Sequence, residues 1–370
     1  MQKLLNKLSN QFLNKLSNKI LIRFILLSFS FLIISCSPQT NQVATPNQSI
    51  VIENSLEPKV EKTNTEENLK PLQLGFSQWP GYAPWQLAEE KEIFEKNNLN
   101  VDLQFSDYSE SLNSMVKGTI NVNSQTLGDT ITTLANNPAS EQVVIAYLDY
   151  SNGADQIIVS KAINSLADLQ GKKVALELGT TTHLLLLLGL QQAGVDPNKI
   201  TIVNLGLQAG AAAFIEEEVD ALATFSPFSS VALKRPGSKA ILTSANFPGL
   251  VADVLVTNRQ TIRERPEELQ ALVDSWFATH QYMEINVNDA DKIIAEQMGL
   301  ELAEFQKDKS GLQFLSREEN QRAFQLSDDF ISLPKTAEKI ADFLLANQVI
   351  TSIPDLNLLF DDRFVRNQKN

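Results

Sequence analysis

From residue 71 onward, short runs of alternating or continuous apolar residues are separated by stretches in which apolar positions recur every three or four residues. The first pattern predicts strands and the second amphipathic helices. Strands are expected at residues 72–76, 101–105, 120–123, 143–147 and 156–159, with helices at 85–96, 109–117 and 126–136 between them. Gly118 stands where the helix over 109–117 should end. A second block repeats the alternation from residue 165, with strands at 201–205, 221–225, 239–243 and 253–257 and helices at 181–193 and 208–217. The helix over 181–193 holds the uninterrupted leucines Leu184 to Leu188, so it should be buried on most sides. Beyond residue 260 the pattern predicts helices only, to about residue 347. Strands alternating with helices argue for an α/β chain on mostly parallel sheets. Two such blocks imply two lobes. The helical tail, with no strand of its own, is expected to pack on the first block.

The first 70 residues break the pattern. Residues 1–35 carry Lys3, Lys7, Lys15, Lys19 and Arg23 but no Asp or Glu, and run into the 11 apolar-rich residues 24–34. A helix needs roughly 20 apolar residues to span a bilayer, so this run reads as the h-region of a signal peptide. It ends at Ile33-Ile34-Ser35-Cys36, which resembles a bacterial lipobox. The resemblance implies cleavage before Cys36, diacylglycerol on its sulfur and acylation of the new amino group. Residues 36–70, dominated by Asn, Gln, Thr, Ser, Pro and Glu, are expected to form a flexible tether to the membrane.

Composition narrows the chemistry. The chain has 370 residues, a formal charge of -13, 1 Cys and 2 His. One cysteine excludes an intrachain disulfide and an all-cysteine zinc site, and two histidines argue against a multi-histidine metal centre. The acidic balance argues against nucleic acid as a partner. No Gly-rich phosphate loop or nucleophile–base pair stands out, and no cofactor is expected.

Certain residues carry a family resemblance. They are Trp79-Pro80-Gly81-Tyr82-Ala83-Pro84-Trp85, residues 88–96, Asn123-Ser124-Gln125-Thr126, residues 165–174, Gly179-Thr180-Thr181 and Phe225-Ser226-Pro227. In this order they resemble solute-binding proteins of ABC importers for nitrate, aliphatic sulfonates, taurine and bicarbonate, a family that includes binders of thiamine-pyrimidine precursors. The resemblance implies a two-lobed periplasmic-binding-protein (type 2) fold, each lobe a βα sandwich, closing on ligand at a hinge. Lobe 1 would hold residues 71–159, lobe 2 residues 160–250, and residues 251–370 would return to lobe 1 with the C-terminal helices. The implied partners are a small-molecule ligand and a membrane permease. The implied setting is a lipid-anchored monomer on the periplasmic or other extracytoplasmic face.

In open α/β sheets ligands bind beyond the carboxyl ends of the strands. Those ends supply Trp79 and Tyr82 as cleft aromatics, with Trp85 expected in the core. Ser124 and Gln125, next to a helix start, suit a carboxylate, sulfonate or nitrate, although Ser124 also fits an ordinary N-cap. Gly179, Thr180 and Thr181 open the Leu-rich helix and suit the same group. His183 reads either as a further donor or as a structural residue. Phe225 and Ser226 close the set. Against an anion stand Asp129, Asp155 and Asp253, with Asp149 nearby in sequence. These carboxylates suit an ammonium or a ring amine, and no Lys or Arg lies in the strand-end loops. The leading expectation is an organic anion or zwitterion, sulfonate- or taurine-like. A pyrimidine precursor, nitrate or bicarbonate remains open, as does a tethered sensor. An enzyme is disfavoured, because the Cys-rich segment of the related pyrimidine-precursor synthases has no counterpart here.

Overall fold

In the computed structural model the described residues are 70–366, and these form one compact unit. The signal peptide, Cys36 and the tether lie outside them. Two sheets organise the body. In chain order the strands are β1 (Leu72–Phe76), β2 (Val101–Phe105), β3 (Val122–Thr126), β4 (Gln142–Ser151), β5 (Gln156–Val159), β6 (Lys173–Leu176), β7 (Thr201–Asn204), β8 (Ala221–Thr224), β9 (Lys239–Thr243), β10 (Ala252–Asn258) and β11 (Leu312–Phe314). The first sheet has the order β11-β4-β10-β3-β1-β2 and the second β7-β6-β8-β5-β9. β1, β2 and β3 run parallel, while β10 lies antiparallel between β3 and β4.

Each sheet is covered by helices, as buried parallel strands require. The core of lobe 1 joins Leu72, Leu74, Val144, Val254 and Leu272. Lobe 2 has apolar clusters around Ile157, Val174 and Leu186 and around Ile158, Ala175 and Phe214. The helix Thr181–Gln192 buries nearly every leucine of its run. The helix Pro266–Ile285 packs on Pro84–Glu90, so the C-terminal segment covers lobe 1.

Two details differ from the sequence reading. β5 pairs with β8 and β9, so it belongs to lobe 2, and the first crossing lies between Ser151 and Gln156 instead of at Val159. The second crossing runs between β9 and β10, through residues 244–251. The tail also contributes a strand, β11, on the free edge of β4. The edge of a sheet offers unpaired backbone groups, and three residues of the tail satisfy them. The two crossings are stitched together. Ser151 Oγ and Ser244 Oγ are 2.7 Å apart, Gly153 N–H donates to Ser244 Oγ (2.7 Å), and Ser244 N–H donates to the Asp155 carbonyl (2.9 Å). A pair of adjacent, hydrogen-bonded crossings is the arrangement of a hinge.

Candidate ligand-binding site

Where the lobes meet lies a small cavity, open to solvent on one side. Lobe 1 lines it with Trp79, Tyr82, Tyr108 and Thr126, joined by Val251 and Asp253 at the second crossing. Lobe 2 supplies Thr180, Thr181, Thr182 and Phe225, and Asp155 sits at the first crossing.

The aromatic wall begins just after β1. A turn in which Tyr82 N–H donates to the Trp79 carbonyl (3.0 Å) faces both side chains inward. Trp79 meets Phe225 edge-on across the cleft, with ring centroids 5.3 Å apart and planes at 90°. Trp79 Nε1 donates to Asp149 Oδ1 (3.2 Å), and Tyr82 donates its hydroxyl to Asp253. Gly81 has to be a glycine here, because an added Cβ would run into Asp149 Oδ2 and the indole nitrogen of Trp79. Trp85 turns the other way into the core, as expected.

Four carboxylates gather behind this wall, and all are buried. Asp149 on β4 and Asp253 on β10 are register partners. Burial pushes Asp149 up to about 8, with Asp155 adding to the shift by repulsion and the Trp79 and Asp253 hydrogen bonds opposing it. Asp253 is held well above the carboxylate range by burial and then by the charge of Asp149. Asp155 is pushed up to about 7, again by burial, and Asp129 to about 6.

Asp129 does not line the cavity. It accepts from the Tyr108 hydroxyl (2.5 Å) and, across the cleft, from the Thr181 hydroxyl (3.2 Å), while the Thr181 amide also faces it. Thr181 Oγ1 lies 2.7 Å from Thr126 Oγ1. The start of the helix Thr181–Gln192, expected to hold a ligand's anionic group, is therefore already faced by a carboxylate of lobe 1.

Several expected site residues lie elsewhere. Ser124 and Gln125 are internal to β3, which runs farther than its apolar pattern because β10 pairs with it through Thr126. Ser124 Oγ accepts from Trp85 Nε1 (2.8 Å), and Gln125 donates to Thr130 Oγ1 (2.9 Å) and Gln142 Oε1 (3.0 Å). Thr126, not Ser124, caps the helix Leu127–Asn136, accepting from Asp129 N–H (3.1 Å). Gly179 takes a left-handed turn and donates its N–H to His183 Nδ1 (3.4 Å). His183 is thus occupied at the start of its own helix, and burial lowers its pKa. Ser226 lies on the side of Asp308 of the C-terminal helices, whose carboxylate accepts from Ser230 (3.2 Å). The sequence reading missed Tyr108, Thr126, Thr182 and Val251. Tyr108 opens a short helix after β2, and a strand-end aromatic there was the available signal.

Among the described residues no helix is long and apolar enough to cross a membrane, and no three or more His, Cys, Asp or Glu are grouped to hold a metal. A family model described as NMT1/THI5 like matches residues 79–286. An aliphatic sulfonates-binding protein of Escherichia coli K12 is 28% identical over 181 residues, 48% of this chain and 56% of that protein. The alkanesulfonate-binding protein of Xanthomonas axonopodis pv. citri, bound to MOPS, superposes with a TM-score of 0.67 at 17% identity, over 79% of this chain and 100% of that one. The periplasmic nitrate-binding protein of Synechocystis PCC 6803 gives 0.68 at 13% identity, over 80% and 87%. A desulfurization enzyme shares the fold, with a TM-score of 0.60 at 12% identity over 80% of this chain and 98% of the enzyme, so fold alone does not separate binding from catalysis. The chain belongs to the NMT1/THI5-like family and has the two-lobed periplasmic-binding-protein fold.

Proposed function

We propose that this chain is the solute-binding component of an ABC importer, held on the extracytoplasmic face by lipid on Cys36, and that it delivers a small organic solute to a membrane permease without chemical change. The observation that carries this reading is a cavity walled by both lobes at a pair of stitched crossings. Such a cavity is complete only when the lobes are together, so binding and closure are one equilibrium. The similarity to sulfonate- and nitrate-binding proteins supports the same role. A solute with an amine at one end, an aminosulfonate or an amino-substituted ring, suits the carboxyl-lined walls better than bare nitrate or bicarbonate, which bring no positive charge to offset their ionisation. The protein would act as a monomer.

Closure is tested with the full chain carrying Cys36→Ser and spin labels at Glu110→Cys and Gln208→Cys, exposed positions on lobes 1 and 2. A solute found by thermal-shift screening of sulfonates, taurine, nitrate, bicarbonate and aminopyrimidines should shorten the label distance. Thr181→Val removes a hydroxyl that bridges the lobes to Asp129 and Thr126. Losing it should cost the closed form about 1–2 kcal/mol, and weaken binding roughly 5- to 30-fold. An unchanged label distance on binding would remove the closure reading.

The anchor has its own test. Cys36→Ser is expected to leave the precursor uncleaved and without the diacylglycerol mass. Protein anchored normally despite that change would show that Cys36 is not the lipid site.

A further inference from the structure

At the two crossings Asp155, Asp149 and Asp253 come together, none more than 2% exposed. The shifts of Asp149 and Asp253 arise in part from the other members of this cluster, and Asp129 acts on Asp155 and Asp253. The groups facing them are Trp79 and Tyr82 from the β1 turn, Tyr147 on β4, Tyr108 and Asp129 from lobe 1, and Ser151 at the crossing. None is a base. Buried like charges of this kind are tolerated only when protons or an opposite charge neutralise them. A second observation points outward from the cluster. Asp155 borders the cavity, yet its Oδ2 is buried without a hydrogen-bond partner. A buried carboxylate oxygen left without a donor is costly, and a bound donor would relieve that cost.

The anion side of the cavity is different. The hydroxyl and amide at the start of the helix Thr181–Gln192 face Asp129. Thr180 Oγ1 donates to the Glu177 carbonyl (2.9 Å) and lies 3.0 Å from Thr182 Oγ1. A negatively charged head would meet committed donors and uncommitted acceptors.

We propose that the cavity grips the N–H-bearing cationic end of its ligand, a primary amine or an amidinium, through Asp155 and Asp253, with Asp149 behind Asp253, between the rings of Trp79, Tyr82 and Phe225. This rests on the reading of the cleft as the solute site and names the chemical class that the site selects. Aromatic faces attract cations, and carboxylates demand N–H donors, so the pairing favours a protonated amine over a fully methylated one. Metal-like convergence of ligands is not seen among the described residues. Burial holds Asp155 near 7 and Asp149 near 8, so the unoccupied site retains protons at neutral pH. An arriving cation favours the ionised form and expels them. Affinity should therefore rise with pH between about 6 and 8, up to about tenfold per unit for each proton released.

The test uses the full chain in detergent and four probes built on one phenyl ring: benzamidine, benzylamine, benzenesulfonate and benzyltrimethylammonium. By calorimetry at pH 8, benzamidine or benzylamine should bind at least about tenfold more tightly than either other probe, and about tenfold more tightly than at pH 6. Asp155→Asn should weaken the cation about tenfold or more while keeping a cooperative melting transition. Asp155→Glu should recover part of that loss. Four results each overturn the inference: benzenesulfonate binding best, the quaternary probe matching the amine, cation affinity indifferent to Asp155→Asn, or no binding of either amine at millimolar concentration. A tight sulfonate that still shortens the lobe-to-lobe distance would sink this inference and leave the solute-binding reading standing. A bound amine that moves no lobe would do the reverse.

Discussion

Asp149→Asn should raise the melting temperature at pH 8, on the order of 5 °C, although it removes a side chain that accepts a buried hydrogen bond. Burial holds the Asp149 carboxyl at about 8, far above its unfolded value, so the folded chain keeps a proton that the unfolded chain gives up. A raised acid of this kind contributes its stability fully at low pH and loses it as pH rises through about 8. Above about pH 4 the wild type therefore grows less stable, by at most about 1.4 kcal/mol per unit from this group. An amide escapes that penalty. Its oxygen still accepts from Trp79, and its nitrogen offers Asp253 a donor. The expected gain is about 2–4 kcal/mol at pH 8, shrinking as pH falls and gone near pH 4. Melting curves of both proteins between pH 4 and 8 check this. Curves that stay parallel across that range, or an asparagine variant that melts lower at pH 8, would mean that Asp149 is charged and stabilised in the free protein. A stabilising change at the cost of ligand affinity is what a carboxylate kept for function should show.

Trp85→Ala should be the most damaging single change in lobe 1, at about 4–6 kcal/mol. Trp85 is completely buried on the helix Pro84–Glu90. Its ring lies 4.6 Å from that of Trp276 on the helix Pro266–Ile285 and stacks 6.2 Å from Phe94. Truncation leaves a cavity between two helices and deprives Ser124 Oγ of its 2.8 Å donor. The C-terminal helices lose their grip on lobe 1 at the same point. Thermal or urea denaturation should show a fall in melting temperature on the order of 10 °C. The control, Ser124→Ala, should cost only about 1 kcal/mol. Equal effects of the two would place the stabilisation in the hydrogen bond and not in the packing.

Much of this architecture can be read along the chain. Periodicity finds most strands of both lobes, though not β6 or β11, because each buries an apolar face and its side chains alternate every two residues. The same logic marks Thr181–Gln192 as buried and the C-terminal helices as a cover for lobe 1. Trp79, Tyr82 and Phe225 also stand out, since aromatic residues directly after a strand have nowhere to go but the strand-end cleft or a loop. Asp155 and Asp253 stand out as carboxylates next to the expected crossings.

What stayed hidden was fixed by partners distant in sequence. Val122–Thr126 carries Asn123, Ser124 and Gln125, polar residues with no alternation, and is a strand because β1 and β10 bond both its edges. That pairing turns Ser124 and Gln125 into interior groups and moves the helix cap to Thr126. β5 has the same apolar pattern whichever sheet it joins, so only its bonds to β8 and β9 reveal its lobe. The Asp149–Asp253 pair exists because β4 and β10 lie antiparallel in one register. Asp129 reads in sequence as a repeller of anions. In three dimensions it stands where an anion would, because closing the lobes sets it against Thr181. Local pattern determines which side of an element is apolar. Which polar groups face each other across a register or a cleft is decided only when the whole chain has folded, since no neighbouring residue encodes it.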